Sequence, residues 1–308
     1  MRKCIIWGLG KEYEEILQSV HCEILKGHMS IVALVAKAED IVGKTRDGWP
    51  IITKNEMTDL EFDYLIIASS AWYHEIYKEA MAAGVPSSKI LNGSIFKLSL
   101  FDFKRYVSLI ENPITILSND CWGGVLYHAL YLPFHSPTVN MFVPEESYCK
   151  LISNLEYYLR EPLQLKREGD MRKNYCPLGK IGEGEEEITL EFIHNTTFED
   201  GWKLWERRKK RINFNNIFVK MGFDYSEKSE EYLKVFDSIP YNKVCFYSAQ
   251  TEIAGVVYLK AFESYVMNNG NWTRAVGYNA FCRQMGPVFK SIDILKMLNG
   301  EKDYIREL

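Results

Sequence analysis

Residues 3–20 read KCIIWGLGKEYEEILQSV, and this stretch decides the fold of the first third of the chain. A short apolar run ends at Gly8, a turn containing Gly10 follows, and the next residues have the amphipathic spacing of a helix. A strand, a tight turn and a helix in this order open a βαβ unit, in which the next strand pairs in parallel with the first.

Further apolar runs continue the pattern at residues 30–36, 62–70 and 89–93, with a helix predicted at about 72–83. Strands that alternate with helices predict a parallel sheet with right-handed crossovers. We therefore expect a Rossmann-like nucleotide-binding-type domain over residues 1–108.

The α/β pattern restarts after this first domain. A strand is predicted at 114–120, a single helix at 145–161 and a strand in EITLEFIH, residues 187–194. These elements predict a second, three-layer α/β domain over residues 109–308. A chain of 308 residues exceeds the size at which one core usually stops growing, which also favours two domains. The aromatic and Asn/Gly-rich stretch at 262–281 gives no clear assignment.

Composition and charge exclude several classes of protein. A net charge of -4 gives no overall attraction to nucleic acid. Seven cysteines, odd in number and without a CxxC pair, indicate reduced thiols rather than a disulfide framework or a zinc site. No apolar run reaches about 18 residues and no signal peptide is evident, so we expect a cytoplasmic protein without a transmembrane segment.

Gly8 and Gly10 are the candidate cofactor-binding residues. Between a strand and a helix, backbone N–H groups and the helix dipole attract a phosphate. Tyr13 stands where GxGxxG needs its third glycine, and Ala36 and Lys37 replace the acidic residue that binds the ribose. We therefore expect no tightly bound NAD and leave the cofactor unassigned. The loop either binds another nucleotide, a nucleotide-sugar or an anion, or its glycines only permit close packing.

Residues 119–124, NDCWGG, are the second candidate motif. Cys121 lies at or just before a predicted helix N-terminus, a position that lowers the pKa of a thiol and favours a nucleophilic thiolate. His194 ends a predicted strand; if that strand is parallel to the one before Cys121, both side chains emerge at one sheet edge and His194 is the candidate base. His128 returns to the face of Cys121 but lies about 10 Å along the helix axis. The alternative is a small buried cysteine and a structural strand-end histidine.

The same motif supplies candidate substrate contacts. Asn119 or Asp120 can cap the predicted helix, and the N–H groups of Gly123 and Gly124 could stabilise an oxyanion. The candidate contacts from this motif and the residues after it are Asn119, Asp120, Trp122, Gly123, Gly124 and His128.

A basic helix predicted at about 198–212 contributes two more candidates. Arg207 and Arg211 share a helix face at i, i+4, so their guanidinium groups could together hold a phosphate. The alternative is a solvated basic face, which is the usual arrangement for a run of charge on a helix.

Several separated segments, among them SNDCWGGVLYHALYLPFHSPTVNMF, YCPLGKIG and ITLEFIHN, resemble in this order the uncharacterised bacterial family known as domain of unknown function nineteen-nineteen. The resemblance covers about residues 112–250. It implies a setting in exopolysaccharide or capsule biosynthesis but no mechanism. We expect a transferase or hydrolase acting on a nucleotide- or lipid-linked sugar; the alternative is a non-catalytic nucleotide- or sugar-binding module. The expected partner is a small-molecule or sugar ligand, and the oligomeric state stays open.

Overall fold

The computed structural model describes residues 1–37, 42–170, 173, 175–223, 226–247, 249–258 and 292–305. The stretch at 262–281 and Cys282 lie outside these residues. None of the helices in the described ranges has both the length and the apolar character needed to cross a bilayer.

Residues 1–111 form a first compact unit built on a mostly parallel sheet. The sheet order is β3-β4-β2-β1-β5-β6, and only β3 and β4 pair antiparallel. The strands are β1 (Arg2–Trp7), β2 (Met29–Val35), β3 (Thr45–Arg46), β4 (Trp49–Ile52), β5 (Tyr64–Ile67) and β6 (Ile90–Asn92); the helices are α1 (Lys11–Leu25), α2 (Lys54–Met57), α3 (Tyr73–Ala82) and α4 (Phe103–Glu111). The predicted parallel α/β sheet is confirmed.

The burial of the central strands explains why their sequences are continuous apolar runs that predict strands. All four residues of β5 and the last four of β1 are buried, as expected for parallel strands covered on both faces. Tyr13 on α1 is fully buried, and its hydroxyl donates to Asp47 Oδ2 at 2.5 Å. A large ring therefore fills the position where a third glycine would bring helix and strand closer together.

Residues from Asn112 to Tyr258 belong to a second unit, which contains two sheets. One sheet has four parallel strands in the order β13-β12-β11-β7, and the other has three antiparallel strands in the order β10-β9-β8. The strands are β7 (Thr115–Ser118), β8 (Gln164–Arg167), β9 (Leu178–Ile181), β10 (Ile188–Glu191), β11 (Ile217–Phe223), β12 (Asn242–Tyr247) and β13 (Val256–Tyr258); the helices are α5 (Trp122–Ala129), α6 (Glu145–Ser153), α7 (Leu155–Arg160), α8 (Phe198–Lys209) and α9 (Ser229–Ser238). A short helix, α10 (Ile294–Leu298), follows later in the chain.

The second unit differs from the sequence-based prediction in three elements. The strand predicted at 187–194 is β10, Ile188–Glu191, and it pairs with β9 in the antiparallel sheet rather than with the parallel strands. Strand β8, which the sequence pattern missed, has four exposed residues and therefore no apolar alternation. The single helix predicted at 145–161 is in fact α6 and α7, which meet at Asn154, where the backbone leaves the helical region (φ -139, ψ 55).

Phe192 anchors the segment that leaves β10. The side chain is 1% exposed, and two glycines make room for it. A Cβ on Gly179 would lie 3.0 Å from Phe192 Cε2, and one on Gly201 in α8 would collide with Phe192 Cδ1. The position of the chain just before His194 thus depends on close packing against α8.

We predict that Gly201→Ala destabilises the protein. Alanine is favoured over glycine in a helix by about 1 kcal/mol, so a net loss can come only from the collision with Phe192. Because the added Cβ would overlap three atoms of the ring, we expect the upper end of the overpacking cost, about 3 kcal/mol, and a net loss of about 2 kcal/mol. Urea unfolding measures the change. Lys203→Ala, on the exposed face of the same helix, is the control and should change stability by less than about 0.5 kcal/mol. A Gly201→Ala protein as stable as the control would contradict the packing argument.

Candidate functional site

Cys121 and His194 lie within hydrogen-bonding distance, with Cys121 Sγ 3.2 Å from His194 Nε2. Cys121 follows β7 at the carboxyl end of the parallel sheet and is the N-cap residue of α5. The cysteine is half-buried and the histidine is exposed. A thiol and an imidazole at this distance, open to solvent, form the arrangement in which an imidazole can take the proton of a thiol nucleophile.

His194 does not reach Cys121 by the route that we predicted. Its strand is not in the parallel sheet; instead, backbone bonds connect the two segments. Val143 N donates to Asn119 O at 2.9 Å, and the neighbouring Phe142 exchanges two bonds with Glu191 at 2.8 and 3.0 Å. Asn119 lies two residues before Cys121, and Glu191 lies three residues before His194. The segment at 142–143 therefore holds the two loops side by side.

Asn119 braces the loop before Cys121. Its side chain is 1% exposed, its Nδ2 donates to Gly222 O at 2.7 Å, and its Oδ1 accepts from Gly222 N at 3.0 Å. These two bonds tie the end of β7 to β11. Both polar atoms of the Asn119 amide are thus bonded to backbone, and contact of this residue with substrate stays a prediction.

The Asp120 carboxylate bonds both to the first turn of α5 and to a buried lysine. Its Oδ1 accepts from the Trp122 N–H and from the Ser118 hydroxyl, both at 2.9 Å. Its Oδ2 accepts from Lys220 Nζ at 2.5 Å, and the Lys220 side chain is 0% exposed. Of the two expected capping residues, Asp120 is the one that accepts from the first turn of α5.

Lys220 is the functional-site residue that sequence analysis missed. It lies in β11, IFVKMGF, where all seven residues are buried. A lone lysine in an otherwise apolar strand was the available signal, because a buried cation needs a partner.

Trp122 and the two glycines after it are packing residues of α5. Trp122 is 0% exposed, and its ring packs on Phe246 with centroids 5.7 Å apart. A Cβ on Gly123 would lie 3.0 Å from Ser118 Cβ, and one on Gly124 would lie 2.9 Å from Asn140 Oδ1. The glycines thus allow α5 to approach its neighbours closely, and the buried Trp122 ring is not positioned as a substrate contact.

The other predicted contacts are exposed side chains. His128 is exposed in the last turn of α5, and Arg207 and Arg211 are exposed at the end of α8. In the part of the chain that the structure describes, neither arginine forms a hydrogen bond to Cys121 or His194. Between them, Arg208 is only 5% exposed and donates Nη1 to Val139 O at 2.6 Å. Burial, and then the neighbouring guanidinium groups, lower the pKa of Arg208.

Gly8 and Gly10 line a cavity of about 660 Å³ in the first unit, at the carboxyl ends of β1, β2 and β5. Gly8 has φ +107, and a Cβ there would lie 2.9 Å from Ala68 O, so the backbone itself requires glycine. Gly10 is the N-cap of α1, and a Cβ there would meet no atom within 4 Å. The Glu12 carboxylate accepts from the Ser70 N–H at this cavity, and Trp72, 62% exposed, lies at its edge.

Comparison with known proteins shows the family. Residues 92–288 match the family described as domain of unknown function (DUF1919), and the chain belongs to that family. Residues 1–91 match the family model described as C2185-like, N-terminal. The chain is also 29% identical over 157 residues to an uncharacterised protein of Haemophilus influenzae, an alignment that covers 50% of this chain and 72% of that protein. The family resemblance read from the sequence is confirmed, and it brings no activity with it.

We predict that Lys220→Met destabilises the protein by about 3 to 5 kcal/mol, because Asp120 loses its partner in a largely buried position. Replacing both residues, Asp120→Asn with Lys220→Met, should recover much of that loss, since neither charge then remains. Urea unfolding of the two single variants and the double variant measures the coupling. Lys203→Met, at an exposed position, is the control. Additive losses in the double variant would mean that the pair does not act as a unit.

Proposed function

We propose that this DUF1919 protein is a cysteine-dependent enzyme, a transferase or hydrolase that acts on a nucleotide- or lipid-linked sugar in bacterial surface-polysaccharide biosynthesis. The observation that carries the proposal is the 3.2 Å separation of Cys121 Sγ and His194 Nε2 at a helix N-terminus. The biological setting rests on the family resemblance, and the chemistry rests on the geometry.

The chemistry that best suits this pair is acyl transfer. His194 Nε2 takes the thiol proton, and the Cys121 thiolate attacks the carbonyl carbon of an acyl group carried by the sugar. A C–S bond forms and the C–O bond to the sugar breaks, and the leaving oxygen takes the proton back from His194. Water or another hydroxyl group, deprotonated by His194, then attacks the thioester and releases the thiol. Water as acceptor gives a hydrolase, and a sugar hydroxyl gives a transferase.

Four of the other described cysteines have thiols that burial makes poor nucleophiles. Burial raises the pKa of the thiols of Cys4 and Cys245, and raises that of Cys149 to about 12. Cys176 is half-buried, and its thiol pKa is also raised by burial. A thiol with a raised pKa holds less of the nucleophilic thiolate at neutral pH.

We predict that iodoacetamide near pH 7 alkylates Cys121 about tenfold faster than the exposed Cys22, because a thiolate supported by an imidazole reacts faster than an ordinary thiol. Mass spectrometry of peptides from the full-length protein measures both rates in one sample. His194→Gln should bring the rate of Cys121 close to that of Cys22. His74→Gln, an exposed histidine on α3, is the matched control and should leave both rates unchanged. Equal rates for Cys121 and Cys22 in the wild type would refute the nucleophile assignment.

A second candidate function, a nucleotide- or sugar-binding module, is supported by the cavity of the first unit. The cavity brings together the N-terminus of α1, whose N–H groups attract anions, and the exposed Trp72 ring, on which a base or sugar can stack. A Cβ added to Gly10, which lines this space, would meet no atom within 4 Å. A side chain added there would enter the space that a ligand needs.

For this second function, we predict that UDP or UDP-N-acetylglucosamine raises the melting temperature of the wild type and quenches tryptophan fluorescence. Gly10→Val should abolish both effects, because its side chain occupies the space beside α1, and Trp72→Ala should remove the quenching. Circular dichroism checks that each variant is folded. Equal responses of wild type and Gly10→Val, or no response to either compound, would exclude this site.

A further inference from the structure

We infer that a groove along α5 binds the sugar ring of the substrate that Cys121 attacks, an inference that rests on the proposed function for its link to catalysis. We call it the α5 groove. Its volume is about 440 Å³, and its walls include Gly124, Val125, His128, Tyr131, Phe134 and Asn140. This volume lies within the range usual for sites of small organic ligands.

The groove lies on the helix face that carries Cys121. Gly124, Val125 and His128 follow Cys121 at i+3, i+4 and i+7, and these positions share one face of an α-helix. At 1.5 Å per residue the groove begins about 4.5 Å along the axis from Cys121 and extends to about 10 Å at His128. A ligand that lies in the groove therefore has one end close to the thiol.

The walls of the groove have the chemistry that recognises a sugar ring. Tyr131, 45% exposed, and the half-buried Phe134 offer aromatic faces to the C–H groups of a ring. His128 and Asn140 are exposed and can donate and accept hydrogen bonds to hydroxyl groups. Apolar walls with a few polar groups that fix orientation are typical of ligand sites.

Two side chains pack against the Phe134 ring. The Arg208 guanidinium lies 5.6 Å from its ring centroid, and the Tyr127 ring packs edge-on against it with centroids 5.7 Å apart. Arg208 is fixed in turn by its bond to Val139 O, next to Asn140. The buried arginine that the basic helix provides thus supports the groove, whereas Arg207 and Arg211 stay in solvent.

Two residues of the groove have a positive φ. Tyr131 has φ 53 and Asn140 has φ 61, in the left-handed region that disfavours residues other than glycine. Of the four such non-glycine residues in the described ranges, these two line the groove, and the other two, Asp47 and Leu100, belong to the first unit. At Tyr131 this φ belongs to the end of α5, where Tyr131 N donates to His128 O and Leu132 N donates to Tyr127 O, because helices commonly end with a left-handed residue after the C-cap.

The test measures sugar binding without catalysis, using the full-length Cys121→Ala protein. Saturation-transfer NMR is recorded with the methyl β-glycosides of glucose, galactose, N-acetylglucosamine and glucuronic acid at millimolar concentrations. We expect signals from the ring protons of at least one of the four. Tyr131→Gly, which suits the positive φ and removes the aromatic face, should weaken binding about three- to tenfold.

Leu100→Gly is the matched control, because Leu100 is also exposed with a positive φ of 58 but belongs to the first unit. It should leave sugar binding unchanged. If Tyr131→Gly does not fold, His128→Ala replaces it, with the same expected direction. No binding of any of the four sugars, or equal binding by the groove variant and the control, overturns the inference.

This experiment is separate from the test of the nucleophile. Sugar binding that depends on Tyr131, together with an unreactive Cys121, would keep the groove and reject the cysteine-dependent enzyme. A fast-reacting Cys121 without sugar binding would keep the enzyme and reject the groove.

Discussion

The ion pair between Asp120 and Lys220 is the interaction on which the site depends. An ammonium group with 0% of its side chain exposed is costly unless a charged partner meets it, and Asp120 Oδ2 does so at 2.5 Å. The other oxygen of the same carboxylate accepts the first N–H of α5 and so fixes where the helix begins. Because Cys121 lies between the carboxylate and that N–H, the position of its backbone follows from satisfying a buried charge in β11.

The second sheet of this unit supplies the histidine. The parallel sheet places the Cys121 thiol at its carboxyl edge. His194 follows a strand of the three-stranded antiparallel sheet, and the Phe142–Glu191 bridge holds this segment beside the thiol. Packing of Phe192 against Gly201 sets the depth at which this segment lies. The nucleophile and the base of the proposed enzyme therefore follow strands of two separate sheets, and the segment at 142–143 connects the two by backbone bonds.

Sequence analysis predicted the elements that depend on local sequence patterns. Continuous apolar runs such as β1 and β5 belong to parallel strands covered on both faces, and their pattern does not depend on distant partners. We expected Cys121 and His194 to lie close together because both were predicted to follow strands of one parallel sheet. That reason is wrong: the two residues come together through an antiparallel pairing. The pairing of Lys220 depends on the tertiary fold, which no local pattern encodes, because its partner is 100 residues away.

In the glycine loop, too, the sequence pattern does not show which residue the tertiary structure requires. The structure of this loop also affects what the first unit can bind. The sequence gives Gly8 and Gly10 equal weight, yet only Gly8 is required by the backbone, while Gly10 leaves open space beside the cavity. Two carboxylates, Glu12 and Glu14, lie in the first turn of α1, and Glu12 already accepts the Ser70 N–H there. A pyrophosphate at this helix end would face their negative charge, which opposes the attraction of the helix dipole. The walls of the cavity are largely apolar and end at the exposed Trp72 ring, so for a nucleotide bound here stacking on that ring has to offset the repulsion between these carboxylates and the pyrophosphate.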